Sequence, residues 1–239
     1  MSDSRTTAYL ILEDGSVFQG QRLGAQKEVI GEVVFNTSMT GYQEMLTDPS
    51  YGGQILVPTY PMIGNYGTSE ADVESTRVQV TGFVVREDCD APSHPLSEGT
   101  VDDYLLQNGI PGVSGIDTRA VTRKLRSSGV MMGMITSNRS VSHAMQVLED
   151  APRYGEFDVV RDVSTDEIYT WEGDAGERSR AYRDLRARAL QGGMGRGVKA
   201  TVSEGDIRED LIKIVVNDYG RPEERRVGKE CRSRWSPYR

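Results

Sequence analysis

One stretch, residues 31–51, constrains the fold of this chain more than any other, and it reads GEVVFNTSMTGYQEMLTDPSY. It begins as a strand, because Val33, Val34 and Phe35 form a β-branched and aromatic run. It then becomes polar, although large apolar residues that favour burial recur along it. The letters TDPS at 47–50 signal a turn, since proline fixes its own φ and aspartate can accept a hydrogen bond from the backbone two residues on. The stretch therefore predicts a strand followed by a loop that is held in place.

Two interpretations of this loop stay open on the residues alone. Its polar side chains can satisfy one another and the backbone in a well-packed turn, and the pattern by itself favours this interpretation. A loop that combines apolar anchors with polar groups can also present a hydroxyl or an amide to a ligand. Gly41 and Gly52–Gly53 allow the backbone to pass close to another segment in either case.

Composition and charge argue against several classes of protein. The chain has 239 residues, a net charge of −8 and a pI near 5.0, whereas a nucleic-acid-binding surface needs clustered lysine and arginine. No apolar run approaches the ~20 residues of a membrane span, and no signal-peptide core stands at the start of the sequence. Two cysteines (Cys89, Cys231) and two histidines (His94, His143) are too few and too scattered for a disulfide framework or a zinc site. We expect a cytoplasmic protein that binds no nucleic acid, membrane or structural metal.

Hydrophobic periodicity predicts the secondary structure of residues 1–150. Strands are predicted at 8–12, 16–19, 29–36, 54–58, 76–86 and 130–136, and helices at 100–108, 118–126 and 140–149. Val141, Met145 and Leu148 are expected on the buried face of the third helix. Because the strands do not alternate regularly with the helices, the pattern predicts a mixed α/β domain and not a doubly wound nucleotide-binding fold.

Two smaller features of the sequence bear on function. Cys89 stands among Glu87, Asp88 and Asp90, and three carboxylates disfavour the thiolate that a nucleophilic cysteine requires, so a hydrolase that uses Cys89 is the least favoured function. The basic residues Arg119, Arg123 and Arg126 form one edge of the second predicted helix. An edge of this kind is commonly a solvated face.

Several separated motifs, in a fixed order, resemble one known family. They comprise the stretch 31–51 together with LEDG at 12–15, FQG at 18–20, TYPMIGNYG at 59–67, GIDTR at 115–119 and GMI at 133–135. Together they resemble the small, glutamine-using subunit of carbamoyl phosphate synthetase over about residues 8–172, with a short segment resuming near Leu211.

The resemblance implies a fold, an activity and partners. The implied fold is a swivelling β/β/α-type domain with mostly antiparallel or mixed strands and about three helices. The implied activity is glutamine hydrolysis by a cysteine in a separate amidotransferase domain, with the ammonia passed to a large subunit. That subunit makes carbamoyl phosphate from bicarbonate and ATP, and the product serves pyrimidine and arginine synthesis. ATP and magnesium are therefore expected on the large subunit. No cofactor is expected on this chain. Contact with the large subunit then competes with solvation as the role of the basic edge.

The resemblance assigns one ligand-binding residue to this chain and no catalytic residue. Ser50, the serine of the TDPSY motif, is expected to bind L-glutamine in the complete subunit. A hydroxyl on a turn that proline makes rigid can hydrogen-bond a substrate at a small cost in ordering entropy. Tyr42, Gln43 and Asp48 are expected to support this loop and not to contact the ligand.

Composition changes after Trp171, and this change suggests the domain boundaries. We expect residues 1–172 to form the N-terminal domain, 173–208 a linker, and 209–220 the first, orphan strand of a truncated amidotransferase domain. Residues 221–239 have seven basic and three acidic residues and resemble a translated sequencing adapter, so we expect a non-native tail. The chain alone is then predicted not to hydrolyse glutamine. The alternative is a non-catalytic interaction module that binds the large subunit.

Overall fold

The computed structural model describes residues 6–153, 156 and 159–164. Its strands are β1 (Thr7–Leu12), β2 (Val17–Gly24), β3 (Val29–Asn36), β4 (Gln54–Pro58), β5 (Met62–Ile63), β6 (Gly82–Val84), β7 (Glu87–Asp88), β8 (Pro111–Ser114) and β9 (Met131–Thr136). Its helices are α1 (Tyr42–Thr47), α2 (Val101–Gln107), α3 (Thr118–Ser128), α4 (Val141–Asp150) and α5 (Val159–Val163), with single 3-10 turns at Pro49–Tyr51 and Glu70–Asp72. The predicted mixed α/β class is confirmed. The predicted linker, orphan strand and tail lie outside the described residues.

Seven strands close into a barrel in the order β1–β2–β8–β6–β4–β3–β9. The neighbours β3, β4, β6 and β8 pair in parallel, and β1, β2 and β9 complete the ring through antiparallel pairs. β5 and β7 form a separate parallel pair. Among the described residues, no helix has the length and apolarity that crossing a bilayer requires.

Alternate residues of the strands fill the inside of the barrel. The buried residues of this core include Leu10, Leu12, Val33, Ile55, Val57, Val84, Val113 and Ile135. Glycine occupies inward positions where the barrel is too narrow for a side chain. A Cβ at Gly133 would lie 2.5 Å from Cγ2 of Val33, and a Cβ at Gly82 would lie 2.7 Å from Cδ1 of Ile135. The interior is therefore a packed core and not a ligand cavity.

The helices cover the barrel on its outside and at one end. α3 contributes Val121 and Leu125 to the interior core, so it closes the end at which β3 and β4 finish. α1 and α2 pack on the outer surface of β2, β4 and β6, through residues such as Leu46, Leu105 and Phe83. On the outer surface of β1 and β9, α4 packs its Ala144 and Leu148.

Several predictions at the level of elements need correction. The predicted strand at 76–86 is confined to β6, because the amide of Gln79 donates to the carbonyl of Leu46 in α1 and not to a neighbouring strand. α1 was predicted as loop, and the sequence did not predict β5, β7, β8 or α5. On α4, Leu148 is buried as expected, but Val141 is 36% exposed and Ala144 is buried in its place.

Candidate functional site

The N-terminus of α1 is capped by a residue from a distant loop. Gly41 precedes the helix with a φ of 86°, a value that glycine adopts readily, and it has no side chain with which to cap the helix. The phenol oxygen of Tyr66 accepts hydrogen bonds from the amides of Gly41 (2.8 Å) and Tyr42 (3.2 Å) instead. The rings of Tyr42 and Tyr66 stack with their centroids 4.2 Å apart, and burial raises the pKa of both phenols. Tyr66 thus fixes the start of α1 by hydrogen bonding and by ring packing.

Two further side chains of α1 attach it to the loop that contains Tyr66. The hydroxyl of Tyr42 donates to the carbonyl of Gly67. Gln43 is 1% exposed, and its amide group donates to the carbonyl of Ser69 and accepts from the amide of Ser69, both at 2.8 Å. This pair of hydrogen bonds has the donor-and-acceptor pattern of a residue pair in a β-sheet. It gives both polar atoms of the buried side chain a partner.

The C-terminus of α1 is bonded to residues 74–79. The hydroxyl of Thr47, which is fully buried, donates to the carbonyl of Gln43 and accepts from the amide of Glu74. Ser75 donates its hydroxyl to the carbonyl of Thr47 at 2.6 Å. Backbone groups at a helix end have no partner within the helix, so bonds of this kind replace the missing ones. Both ends of this short helix are therefore held by residues 66–79.

Ser50 lies on the 3-10 turn that follows α1. Asp48 is 2% exposed, and its Oδ1 accepts from the amide of Ser50 at 2.8 Å. The amide of Tyr51 donates to the carbonyl of Asp48, and the Tyr51 hydroxyl accepts from the side-chain amide of Asn36 at 2.7 Å. The Ser50 side chain is exposed, and within the described part of the chain its hydroxyl has no hydrogen-bond partner. The turn thus has a fixed backbone and one hydroxyl directed to solvent.

Gly52 brings helix α5 against the same turn. A Cβ at Gly52 would lie 2.9 Å from Cγ1 of Val163 and 3.1 Å from Cγ1 of Val159, so only glycine allows this approach. Arg77 donates to the carbonyl of Asp162 at 2.7 Å and so bonds the last turn of α5. The sequence predicted a close approach at Gly52–Gly53, and the approaching segment is α5.

The structure joins Asp48 and Ser50 by a hydrogen bond, and it places Tyr42 and Gln43 in helix α1, which precedes that turn. Ser50 is exposed, while Tyr42, Gln43 and Asp48 are buried. Sequence reasoning missed their partners at 66–79, because these residues lie in irregular segments to which hydrophobic periodicity assigns no contacts. The available signal was the second tyrosine of the TYPMIGNYG motif, a residue that needs a partner for its hydroxyl when it is buried.

The described residues offer an exposed hydroxyl at Ser50 but no nucleophile that is set up for catalysis. Cys89 is half-buried, its amide donates to the carbonyl of Ile63, and no hydrogen bond joins it to His94 in the described ranges. The imidazole of His94 instead accepts from the amide of Leu96 at 3.3 Å. Burial raises the pKa of Asp72, and the charge of His94 opposes this shift. In this part of the chain, no group of three or more histidine, cysteine, aspartate or glutamate residues could hold a metal ion.

Comparisons with known proteins identify the domain. The model of the family described as "Carbamoyl-phosphate synthase small chain, CPSase domain" matches residues 10–135, more than half of the chain. The carbamoyl phosphate synthase small chain of Syntrophotalea carbinolica is 49% identical over 177 residues, which are 74% of this chain and 47% of that protein. The small chain of Aquifex aeolicus is 44% identical over 214 residues, or 89% of this chain and 58% of that protein.

Two facts qualify the extent of these matches. The chain spans about half the length of the curated relatives it matches. A solved aminopeptidase from Aneurinibacillus sp. strain AM-1 is 14% identical to this chain, with a TM-score of 0.34. The match covers 56% of this chain and 31% of the aminopeptidase, and it supports neither a fold nor a function. On the family match and the identities to curated small chains, the chain belongs to the carbamoyl-phosphate synthase small chain family, and its matched residues are the CPSase domain.

Proposed function

We propose that this chain provides the N-terminal domain of the small subunit of glutamine-hydrolysing carbamoyl phosphate synthetase, and that Ser50 binds L-glutamine in the complete subunit. One observation carries the assignment of Ser50: its exposed hydroxyl has no partner in the described part of the chain, on a turn whose backbone is fixed by Asp48. Such a group needs little reorganisation to hydrogen-bond a ligand.

The hydrogen bonds of Tyr42, Gln43 and Asp48 are the reason for assigning ligand binding to Ser50 and loop support to these three residues. The hydroxyl of Tyr42 donates to the carbonyl of Gly67. The side-chain amide of Gln43 donates to the carbonyl of Ser69 and accepts from its amide, and a carboxylate oxygen of Asp48 accepts from the amide of Ser50. Their polar atoms are therefore engaged inside the protein. Because Ser50 alone among the four directs its polar atom to solvent, we assign it the ligand contact and assign the other three to loop support.

The remaining parts of the proposal follow from the family. An amidotransferase domain hydrolyses glutamine, and the large subunit uses the ammonia with bicarbonate and ATP, so ATP and magnesium bind there and not on this chain. We assign the barrel and its helices to the family's swivelling β/β/α domain, over residues 1–172, in a cytoplasmic protein. The linker at 173–208 and the strand at 209–220 stay predictions.

A chimera tests this function. Residues 6–164 replace the matching part of the Aquifex aeolicus small chain, and synthesis of carbamoyl phosphate with the Aquifex aeolicus large chain is measured with glutamine and with ammonia. We expect the chimera to retain glutamine-dependent synthesis, because the domain and Ser50 are present. A chimera that folds and binds the large chain but uses only ammonia would contradict the proposal and favour the non-catalytic interaction module.

The 239-residue chain on its own provides the second arm of this test. We predict that it hydrolyses no glutamine, since the described residues include no activated nucleophile. Release of glutamate from glutamine, above the rate in buffer, would contradict this part of the proposal.

A further inference from the structure

Gly52 ends the 3-10 turn that contains Ser50, and its backbone conformation does not require glycine. Its φ of −53° and ψ of 127° are negative-φ, extended values of the kind that residues with a side chain adopt. The next residue differs, because Gly53 has a φ of 74°, which lies in the left-handed region that favours glycine. The glycine at position 52 therefore has a cause other than the course of the backbone.

The space beside Gly52 is occupied by helix α5. A Cβ at this position would lie 2.9 Å from Cγ1 of Val163 and 3.1 Å from Cγ1 of Val159. The two valines are four residues apart, so they lie on the same face of the helix. Their methyl groups fill the volume that a side chain at position 52 would need.

Helix α5 depends on contacts of this kind for its position. It has five residues, which is too few for a helix to be stable on intrinsic propensity. A second contact is polar, because the guanidinium group of Arg77 donates to the carbonyl of Asp162 at 2.7 Å. Carbonyls in the last turn of a helix have no partner within the helix, so this bond replaces a missing one. Both contacts hold α5 against the segments that surround Ser50.

Arg77 also connects α5 to the end of α1, the helix that precedes the Ser50 turn. The hydroxyl of Ser75 lies within hydrogen-bond distance of two carbonyls, 2.6 Å from that of Thr47 and 3.0 Å from that of Arg77. Thr47 is the last residue of α1. The turn is therefore fixed at its start through this set of bonds and at its end by the valines of α5.

We propose that Gly52 is a positioning residue for glutamine: its lack of a side chain lets α5 dock, and the docked helix sets the position of the Ser50 hydroxyl. The inference rests on the proposed function, which assigns the ligand contact to Ser50, and it adds α5 as the element that controls the affinity of this contact. The amide of Gly52 donates to the carbonyl of Pro49 at 3.1 Å, so the turn moves as a unit. A displacement at Gly52 therefore moves Ser50 as well.

KM for glutamine in the chimera with the Aquifex aeolicus small chain tests this proposal, because residues 6–164 include both Gly52 and α5. We expect Gly52→Ala to raise KM for glutamine about fivefold, within the range that loss of one neutral hydrogen bond produces. The ammonia-dependent rate, which does not involve glutamine, reports whether each variant folds and binds the large chain. Gly99→Ala is the matched control, since its Cβ would have no neighbour closer than 3.8 Å, and its KM should equal that of the unmodified chimera.

Removal of the opposing methyl group provides a rescue that a general loss of stability would not show. Val163→Ala deletes Cγ1, the atom that lies nearest to an added Cβ. The double variant Gly52→Ala, Val163→Ala should therefore have a KM for glutamine within about twofold of the unmodified chimera, because two residues in contact are coupled. Val163→Ala alone should also stay within about twofold, since Val159 and the bond from Arg77 still hold α5.

Arg77→Ala disturbs α5 without altering the turn itself. It removes the hydrogen bond to the carbonyl of Asp162, and the backbone of residue 77 keeps its bond with Ser75. We expect KM for glutamine to rise about threefold, as the loss of one surface hydrogen bond loosens the helix. Arg139→Ala, at an exposed arginine just before α4, is the control and should leave KM unchanged.

The outcomes separate this inference from the function on which it rests. If Ser50→Ala raises KM for glutamine while Gly52→Ala and Arg77→Ala do not, α5 does not position Ser50, and the assignment of Ser50 stands. If Val163→Ala fails to reverse the effect of Gly52→Ala, the strain lies within the turn, where the same Cβ would lie 3.3 Å from the carbonyl of Pro49, and the role of α5 is overturned. If KM does not respond to Ser50→Ala, the assignment of Ser50 is overturned and the inference with it.

Discussion

Tyr66 shows how much of the candidate site depends on a single distant side chain. Its phenol oxygen accepts from two backbone amides at the start of α1, at positions 41 and 42, and its ring stacks on Tyr42. α1 has six residues, so it is too short to be stable on intrinsic propensity and depends on contacts of this kind. The Ser50 turn follows α1 directly, and its position therefore depends on the hydroxyl of Tyr66.

Tyr66→Phe tests this dependence. The ring and its stacking remain, but two backbone amides lose their acceptor, so we expect the free energy of unfolding to fall by about 1–3 kcal/mol. Urea denaturation of the full chain measures the change. Tyr60→Phe, in the same loop region with a side chain that is 37% exposed, is the control and should stay within about 0.5 kcal/mol of the unmodified chain. Equal stability of the two variants would contradict the capping role.

At the scale of elements, local signals decided what could be predicted. β3, β4, α2 and α3 were predicted because their apolar patterns lie within the elements. The structure shows that α2 and α3 also have local caps, Thr100 and Asp117. α1 was missed because its six residues span less than two turns and its capping group lies 25 residues away. The alternation at 76–86 arises from packing against α1 and its neighbours, as Val78 and Val80 show, and not from pairing along the whole segment.

The residues of the candidate site likewise divide into those that the sequence predicted and those that it could not predict. Tyr42, Gln43, Asp48 and Ser50 are close in sequence, so one motif indicated all four. Ser69 and Thr47 could not be assigned, because their bonds to Gln43 and Glu74 depend on how the loop 66–79 folds back over α1. Periodicity contains no information about such contacts between irregular segments.

The glycines inside the barrel give a prediction at this scale. A Cβ at Gly133 would lie 2.5 Å from Cγ2 of Val33 and 3.2 Å from Cδ2 of Leu12, so Gly133→Ala overpacks the core and should lower the free energy of unfolding by about 1–3 kcal/mol. Gly99→Ala is the control, since its Cβ would have no neighbour closer than 3.8 Å. Urea denaturation of both variants measures the difference. A Gly133→Ala variant as stable as Gly99→Ala would show that the barrel is wider than the structure indicates.

At the scale of the whole molecule, the barrel separates two surfaces with different chemistry. The Ser50 turn lies beside the start of β4, where α5 packs on Gly52, and it presents a neutral hydroxyl. α3 lies where β4 ends, and it presents three arginines. Because the strands between them are packed tightly, the barrel keeps the two surfaces at a fixed separation.

Substitution of Ser50 in the chimera with the Aquifex aeolicus small chain tests the central claim most directly. KM for glutamine and the ammonia-dependent rate are measured for Ser50→Ala and for Ser142→Ala, an exposed serine on α4. Loss of one hydrogen bond to the substrate should raise KM for glutamine about tenfold in Ser50→Ala, with the ammonia-dependent rate unchanged and Ser142→Ala unaffected. If KM for glutamine is the same in both variants, Ser50 does not bind the substrate.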